Sequence, residues 1–391
     1  MLVLRKKVEY LLKHNLFIRS IYKLIMSSLF KFIGIFIKTD KNLVLVNSFA
    51  GRKYNDSPKV ITDYLYNNQF YNHLKIVWAF DNPDNFEIPF SKVKIDTWKY
   101  FHVALKAKYW ITCVNIERGL NFKKKNTVYL NSWHGIPIKS VGNTTKGWKD
   151  FNMSNVNIFC YSSNYEEKIY IRDFGIKKEN MLKSGMPRND ELYFVSEEKI
   201  LKIKHYLNIP INKKIILYIP TWRDSEDYGK SYTLQPPIDI SLWSKKLEDY
   251  ILLFRVHPFT TQLMGIEFND FVINVSDYPN INELMIIADI LISDYSAAIF
   301  DYSILERPII SFAYDFDEYK ASRGIFVDLE KELPGNVLRT QYEVLDKIKT
   351  MDFVTESQKT LLVKNKYVEV GGNATEMCVK ALFDNYTTIP Q

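Results

Sequence analysis

A chain of 391 residues suits two or three domains at about 150 residues each. Its 47% hydrophobic and 25% charged content excludes a disordered chain, a collagen-like repeat and a polytopic membrane protein. The net charge of +7 is carried by residues 1–38, where eight Lys and Arg face one Glu, while the other 353 residues balance 44 basic against 44 acidic side chains. A body without net charge removes the main support for nucleic-acid binding. Three cysteines (Cys113, Cys160 and Cys378) are too few and too scattered for a disulfide framework or a zinc site, which points to a reducing compartment.

In chain order, the basic segment comes first. At 100° per residue all its basic side chains except Lys7 fall within an arc of about 140°. Lys23 and Lys31 interrupt the apolar runs, so none approaches the roughly 20 residues that a spanning helix needs. No small-residue cleavage site follows, which argues against a signal peptide. The pattern predicts one or two amphipathic helices at an anionic membrane surface, apolar side down. The plainer alternative is a helix packed on the body with a solvated basic face.

From residue 42 onward, short apolar runs alternate with helical patterns. Strands are predicted at 43–49, 74–80, 108–113, 127–131 and 157–162, then at 214–220, 250–256, 271–275, 290–293 and 308–313. Helices are predicted near 57–67, 97–107, 163–173, 281–288, 296–306 and 340–349. Continuous Val/Ile/Leu runs indicate strands buried on both faces, hence parallel sheets with crossover helices. Two such series give an α/β chain of two doubly wound, Rossmann-type domains facing a cleft. The expected division is 1–40 for the basic segment, 41–200 for the first domain and 201–391 for the second, with the seam near 195–212.

Ligands of such sheets bind beyond the carboxyl ends of the strands. Polar residues stand at those ends: Ser132-Trp133-His134-Gly135, Thr221-Trp222-Arg223-Asp224, His257-Pro258 and Asp294-Tyr295-Ser296. His134 and His257 each follow a strand and precede a Gly or Pro turn, where a general base or phosphate ligand would be rigidly held. Trp133 and Gly135 share the loop of His134. Ser296 is placed to cap a helix opening with the small residues Ala297 and Ala298, whose backbone N–H groups would suit a phosphate. Asp294 and Asp301 are carboxylates of the same stretch, Asp301 being expected to reach ribose hydroxyls. Arg223 and Arg323 are the cations expected to meet phosphate oxygens. No Walker loop, GxGxxG, HExxH or CxxC occurs.

Several strings, in order, resemble the CDP-glycerol glycerophosphotransferases that build teichoic acids. They are NSFAGRKYNDSPKVI (47–61), NSWHGIPIKSVG (131–142), YIPTWRD (218–224) and RVHP (255–258). LISDYSAAIFDY (291–302), ERPIISFAYDFDEY (306–319) and SRGIFVDLEKELPGN (322–336) complete the set. The resemblance implies a GT-B-like fold of two Rossmann domains and a peripheral enzyme of the cytoplasmic membrane face. It implies transfer of glycerol phosphate from CDP-glycerol to a hydroxyl of a lipid-linked teichoic acid or capsule precursor, with release of CMP. By the same resemblance His134 and His257 match two functionally important histidines; His134 is assigned as base and His257 to the diphosphate or the departing phosphate, the reverse assignment of roles staying open. Arg223, Ser296 and Arg323 would then stabilise charge on the phosphoryl group and CMP. No cofactor is called for beyond the CDP-alditol donor; Mg²⁺ could accompany the diphosphate, although no carboxylate cluster demands a metal. CDP-ribitol as donor, a GT-B glycosyltransferase using a nucleotide sugar, and a non-catalytic scaffold are the alternatives. The length resembles that of the family's primases more than its longer polymerases.

Overall fold

A computed structural model describes residues 15–145, 151–221, 233–234, 237–256, 262–263, 266–334 and 336–383. The first sheet has seven parallel strands: β1 (Asp40–Asn47), β2 (Lys75–Phe80), β3 (Ser91–Lys94), β4 (Ala107–Thr112), β5 (Val128–Asn131), β6 (Ile158–Tyr161) and β7 (Met181–Lys183). Their order is β3-β2-β1-β4-β5-β6-β7. In the second domain β8 (Lys214–Ile219) leads, and β9 (Thr233–Leu234) and β11 (Gln262–Leu263) pair only with each other. The remaining strands β10 (Tyr250–Phe254), β12 (Val272–Asn274), β13 (Ile290–Ser293) and β14 (Ile309–Ser311) complete a parallel sheet of order β12-β10-β8-β13-β14. Both orders reverse direction beside the first strand, and such reversals are where doubly wound sheets take ligands.

The central strands have no polar face. Val44, Leu45 and Val46 of β1, like Ile215, Ile216 and Leu217 of β8, are fully buried. Separate apolar clusters therefore fill both sides of each sheet. Besides the two-residue strands β9 and β11, the strands missing from the sequence analysis are β3 and β7, runs of four and three residues with partly exposed side chains. They carry too little apolar signal to be read from the sequence.

The chain crosses between domains in the 3₁₀ turn Pro187–Tyr193. That is earlier than the expected seam, because Ile203 of the helix Glu197–Tyr206 already packs into the second core. The last described helix, Ala374–Phe383, returns to the first sheet, where Cys378, Val379 and Leu382 pack with Val44 and Trp78. The stretch 201–391 is thus not all second domain. Asp190, in the crossing turn, accepts from the N–H groups of Ala374 and Thr375 at 2.9 and 2.8 Å. The Sγ atoms of Cys160 and Cys378 lie 3.3 Å apart as free thiols in this core.

Among the described residues one helix, Leu16–Phe36, runs ahead of the first sheet, with Asn15 as N-cap accepting from the N–H groups of Phe17 and Ile18. Ser27, Phe30 and Gly34 lie on one face and are buried against the body. Phe30 stacks on Phe101 at 4.2 Å and meets Phe122 at 5.5 Å. Ser27 accepts from Asn121 N–H at 2.9 Å, and a side chain at Gly34 would meet Leu105 at 3.0 Å. Arg19 and Lys23 flank this docked face and are half-buried. The apolar face points outward: Phe17, Leu24, Phe32, Ile35 and Phe36 are 60–76% exposed, beside Trp98 at 67%. The helix does pack on the body, but it presents its apolar face and not a solvated basic one. Among the described residues no helix is long and apolar enough to cross a membrane.

Candidate active site

On the first-domain wall, β5 ends at Asn131, whose Oδ1 accepts from Trp133 N–H at 2.9 Å. Ser132 Oγ donates to the Trp133 carbonyl at 3.1 Å. Trp133 is held at φ +53° and Gly135 at φ +154°, a strained reversal of the kind found at functional sites. It sets the His134 ring between Phe49 and the Cys113 carbonyl. His134 Nδ1 lies 2.7 Å from the carbonyl oxygen of Cys113. A carbonyl only accepts, so Nδ1 carries the proton and the lone pair is on Nε2. Burial lowers the His134 pKa below the ordinary imidazole value, against the opposing pull of the Cys113 carbonyl. A neutral imidazole with a basic Nε2 is the form that a general base requires. Its ring lies 4.1 Å from that of Trp133 and 5.5 Å from that of Phe49. Trp133, expected among the substrate contacts, mainly packs inward, with its ring 4.6 Å from Phe174.

The loop then leaves its own domain. A Cβ at Gly135 would stand 2.9 Å from the Cβ of Ala297, so the two predicted site residues meet across the cleft. Ile136 and Ile138 are buried in the second domain's core. Lys139 pairs with Ile325 in an antiparallel bridge, and Phe326 N–H donates to the Ile138 carbonyl at 2.7 Å. From below, Tyr165 donates to the Pro137 carbonyl at 2.6 Å and Tyr170 to the Gly135 carbonyl at 3.4 Å. Tyr170 also donates to Glu166 at 2.9 Å. Desolvation pushes the buried Glu166 carboxyl up to about 7.

On the second-domain wall, Asp294 is buried and its carboxylate accepts from Thr221 N–H at 2.9 and 3.1 Å and from Tyr295 N–H at 2.6 Å. It ties the end of β13 to the end of β8. The expected helix 296–306 is shorter, Ala298–Ser303, and Ala297, not Ser296, is its N-cap. Ile299 and Phe300 bond back to Ser296 and Ala297 as i→i+3 turns, and Glu306 has φ +56°. These features leave six helical residues. Ser296 Oγ still accepts from Ala298 N–H at 3.3 Å. Asp301 does not reach toward a ribose: its oxygens accept from Arg188 Nη2 at 2.7 Å and Asn189 Nδ2 at 2.6 Å. Arg323 ends the helix Phe316–Arg323, next to Gly324, whose carbonyl accepts from Ser140 N–H at 3.3 Å; its side chain lies outside the described set. His257 and Arg223 also lie outside the described residues.

Three cations escaped the sequence analysis. Arg188, from the crossing turn, donates from Nη1 to Asp56 at 2.7 Å and to the His134 carbonyl at 2.9 Å. Lys53 lies 5.4 Å over the ring of Phe49, the neighbour of His134. Burial lowers its pKa, and the positive charge of Arg255 across the cleft lowers it further. Arg255 donates to the carbonyls of Val275 and Tyr278 at 2.8 and 2.7 Å, and burial brings it down to about 10. Among the described residues neither Lys53 nor Arg255 has a carboxylate partner. No group of three or more His, Cys, Asp or Glu is arranged to hold a metal ion among the described residues.

Two parallel doubly wound sheets closing on a cleft, with a tautomerically fixed histidine on one side and, among the described residues, a cation without a carboxylate partner on each, define a GT-B-like group-transfer enzyme. Comparison with known proteins specifies which. The family model for CDP-Glycerol:Poly(glycerophosphate) glycerophosphotransferase matches residues 29–384, and the chain belongs to that family. It is 34% identical to the teichoic acid poly(glycerol phosphate) polymerase of Staphylococcus epidermidis, over 80% of this chain but 46% of that longer protein. It is 32% identical to the corresponding polymerase of Bacillus spizizenii, over 93% of this chain and 98% of the other. The solved wall teichoic acid polymerase TagF superimposes with a TM-score of 0.81 at 30% identity, covering 94% of this chain and 96% of that one.

Proposed function

We propose that this enzyme transfers glycerol phosphate from CDP-glycerol to a hydroxyl of a lipid-linked teichoic acid or capsule precursor. The acceptor oxygen forms a bond to the phosphorus that bears glycerol. The bond from that phosphorus to the bridging oxygen breaks, its electron pair leaves on CMP, and the acceptor proton passes to His134 Nε2. The observation that carries this reading is the 2.7 Å bond that fixes the proton on Nδ1 of His134. Phosphoryl transfer depends on positioning and charge more than on covalent catalysis. Lys53 and Arg255 supply positive charge on opposite sides of the cleft, and His257, Arg223 and Arg323 add to it by the family resemblance. A TagF variant soaked with CDPG is among the solved structures alike in fold, which supports the donor.

The test is release of CMP by the purified chain from CDP-glycerol, with CDP-ribitol and UDP-sugars as competing donors and a lipid-linked saccharide as acceptor. His134→Gln is expected to lower kcat by about 10²–10⁴-fold with an unchanged melting temperature. Equal turnover by the variant, or release of UDP and not CMP, overturns the reading.

The helix Leu16–Phe36 seats the enzyme on the cytoplasmic face of the membrane, its apolar side among the acyl chains and its basic neighbours at anionic headgroups. Serine at Leu24, Phe32 and Ile35 leaves the docked face intact. It is expected to abolish flotation with anionic liposomes; undiminished flotation refutes the assignment.

A further inference from the structure

Arg188 has a place in the site that no motif marks. Its side chain is only 11% exposed, and besides its neighbour Asn189 the guanidinium serves three groups from three other parts of the chain. Nη1 reaches the Asp56 carboxylate at 2.7 Å and the His134 carbonyl at 2.9 Å, while Nη2 reaches Asp301 at 2.7 Å. The backbone of Arg188 is fixed as well: its N–H donates to Ser57 Oγ at 3.2 Å, and its carbonyl accepts from Asn282 at 2.6 Å. The two carboxylates are otherwise satisfied, Asp56 by Ser57 N–H and Asp301 by Asn189.

His134 is thus held at two points. Cys113 holds the ring, and Arg188 holds the peptide that follows. The other arm of the same guanidinium holds Asp301, on the short helix that begins one residue after Ala297. Arg188 Nη2 would lie 3.8 Å from a Cβ on Gly135, directly under the point where the loop touches Ala297. A planar fork with separated donors can fix a carbonyl and a carboxylate in one geometry, whereas the single ammonium of lysine cannot.

We propose that Arg188 is a positioning residue that sets His134 in register with the Ser296–Ala297 turn across the cleft. It acts through His134, so the inference rests on the function proposed above. Misplacing a catalytic group by about 1 Å costs on the order of 10²-fold in rate. Loss of the fork should therefore lower kcat and leave donor binding nearly intact.

The test is a double-mutant cycle in the full chain, with CMP release as readout. Arg188→Lys is expected to lower kcat about 10²-fold while the KM for CDP-glycerol changes less than about threefold. In the His134→Gln background the same substitution should have almost no further effect, because the group it positions is gone. Asp301→Asn keeps an acceptor for only one of its two donor partners, Arg188 or Asn189, and should show a smaller loss that also disappears in that background. It serves as the second measurement if Arg188→Lys does not fold. Losses that multiply across the cycle, or a kcat unchanged in Arg188→Lys, overturn the positioning role. A wild-type chain without transferase activity overturns instead the function on which it rests.

Discussion

On the first-domain wall the cleft is lined by side chains on a strained loop: His134 between Trp133 at φ +53° and Gly135 at φ +154°. On the second-domain wall the strand ends are bound together by a carboxylate, Asp294, which spends its oxygens on backbone N–H groups. The first wall is built to aim one imidazole and accepts strain to do so. The second is built to keep backbone in place: Asp294 accepts from Thr221 and Tyr295 N–H, and Asp301 from Arg188 and Asn189. Under the function proposed above, the base on the first wall must be oriented to a fraction of an ångström, whereas a wall against which the donor rests needs mainly a fixed outline.

This contrast can be broken in three places. The largest effect is expected at Glu166, which supports the first wall through Tyr170. Its folded pKa of about 7 is raised by burial from 4.5. The folded state therefore keeps a proton that the unfolded chain releases, and stability falls as pH rises from 4.5 to 7, by about 3 kcal/mol in all. Glu166→Gln should flatten that part of the stability–pH curve in urea titrations; an unchanged slope would show that Glu166 titrates normally. Next is Gly135→Ala, which places a methyl 2.9 Å from Ala297 at a backbone angle that L residues rarely adopt. A kcat reduced about 10- to 100-fold is expected, and wild-type kinetics would mean that the contact yields freely. Smallest is Asp294→Asn, which keeps one acceptor for Thr221 or Tyr295 but not all three bonds. A stability loss of about 1 kcal/mol with kcat within threefold is expected, and a larger fall in kcat than in stability would give Asp294 a role at the ligand.

Much of this was legible in the sequence. Strands buried on both faces read as unbroken apolar runs, so both sheets could be located. His134 stood out because it follows one such run and precedes a glycine. Direction was harder to read. Asp294 and Asp301 carry the right chemistry for a nucleotide site, yet both point inward, because their partners Thr221, Arg188 and Asn189 come from distant segments. Arg188 was invisible for the same reason: its significance lies in Asp56, His134 and Asp301, which only the fold assembles. In the helix Leu16–Phe36, periodicity revealed an amphipathic element but not its docked face. Ser27 and Gly34, small residues seven apart, were the available signal of close packing. Length carried nothing about the product, since a polymerase is matched over 98% of its own length.

The burial of Ile136 and Ile138 in the opposite domain has a thermodynamic consequence. Drawing both side chains into water would cost about 3–6 kcal/mol at roughly 1.5–3 kcal/mol each. An open form with the two domains parted would then be outnumbered by the closed one by about 10²- to 10⁴-fold.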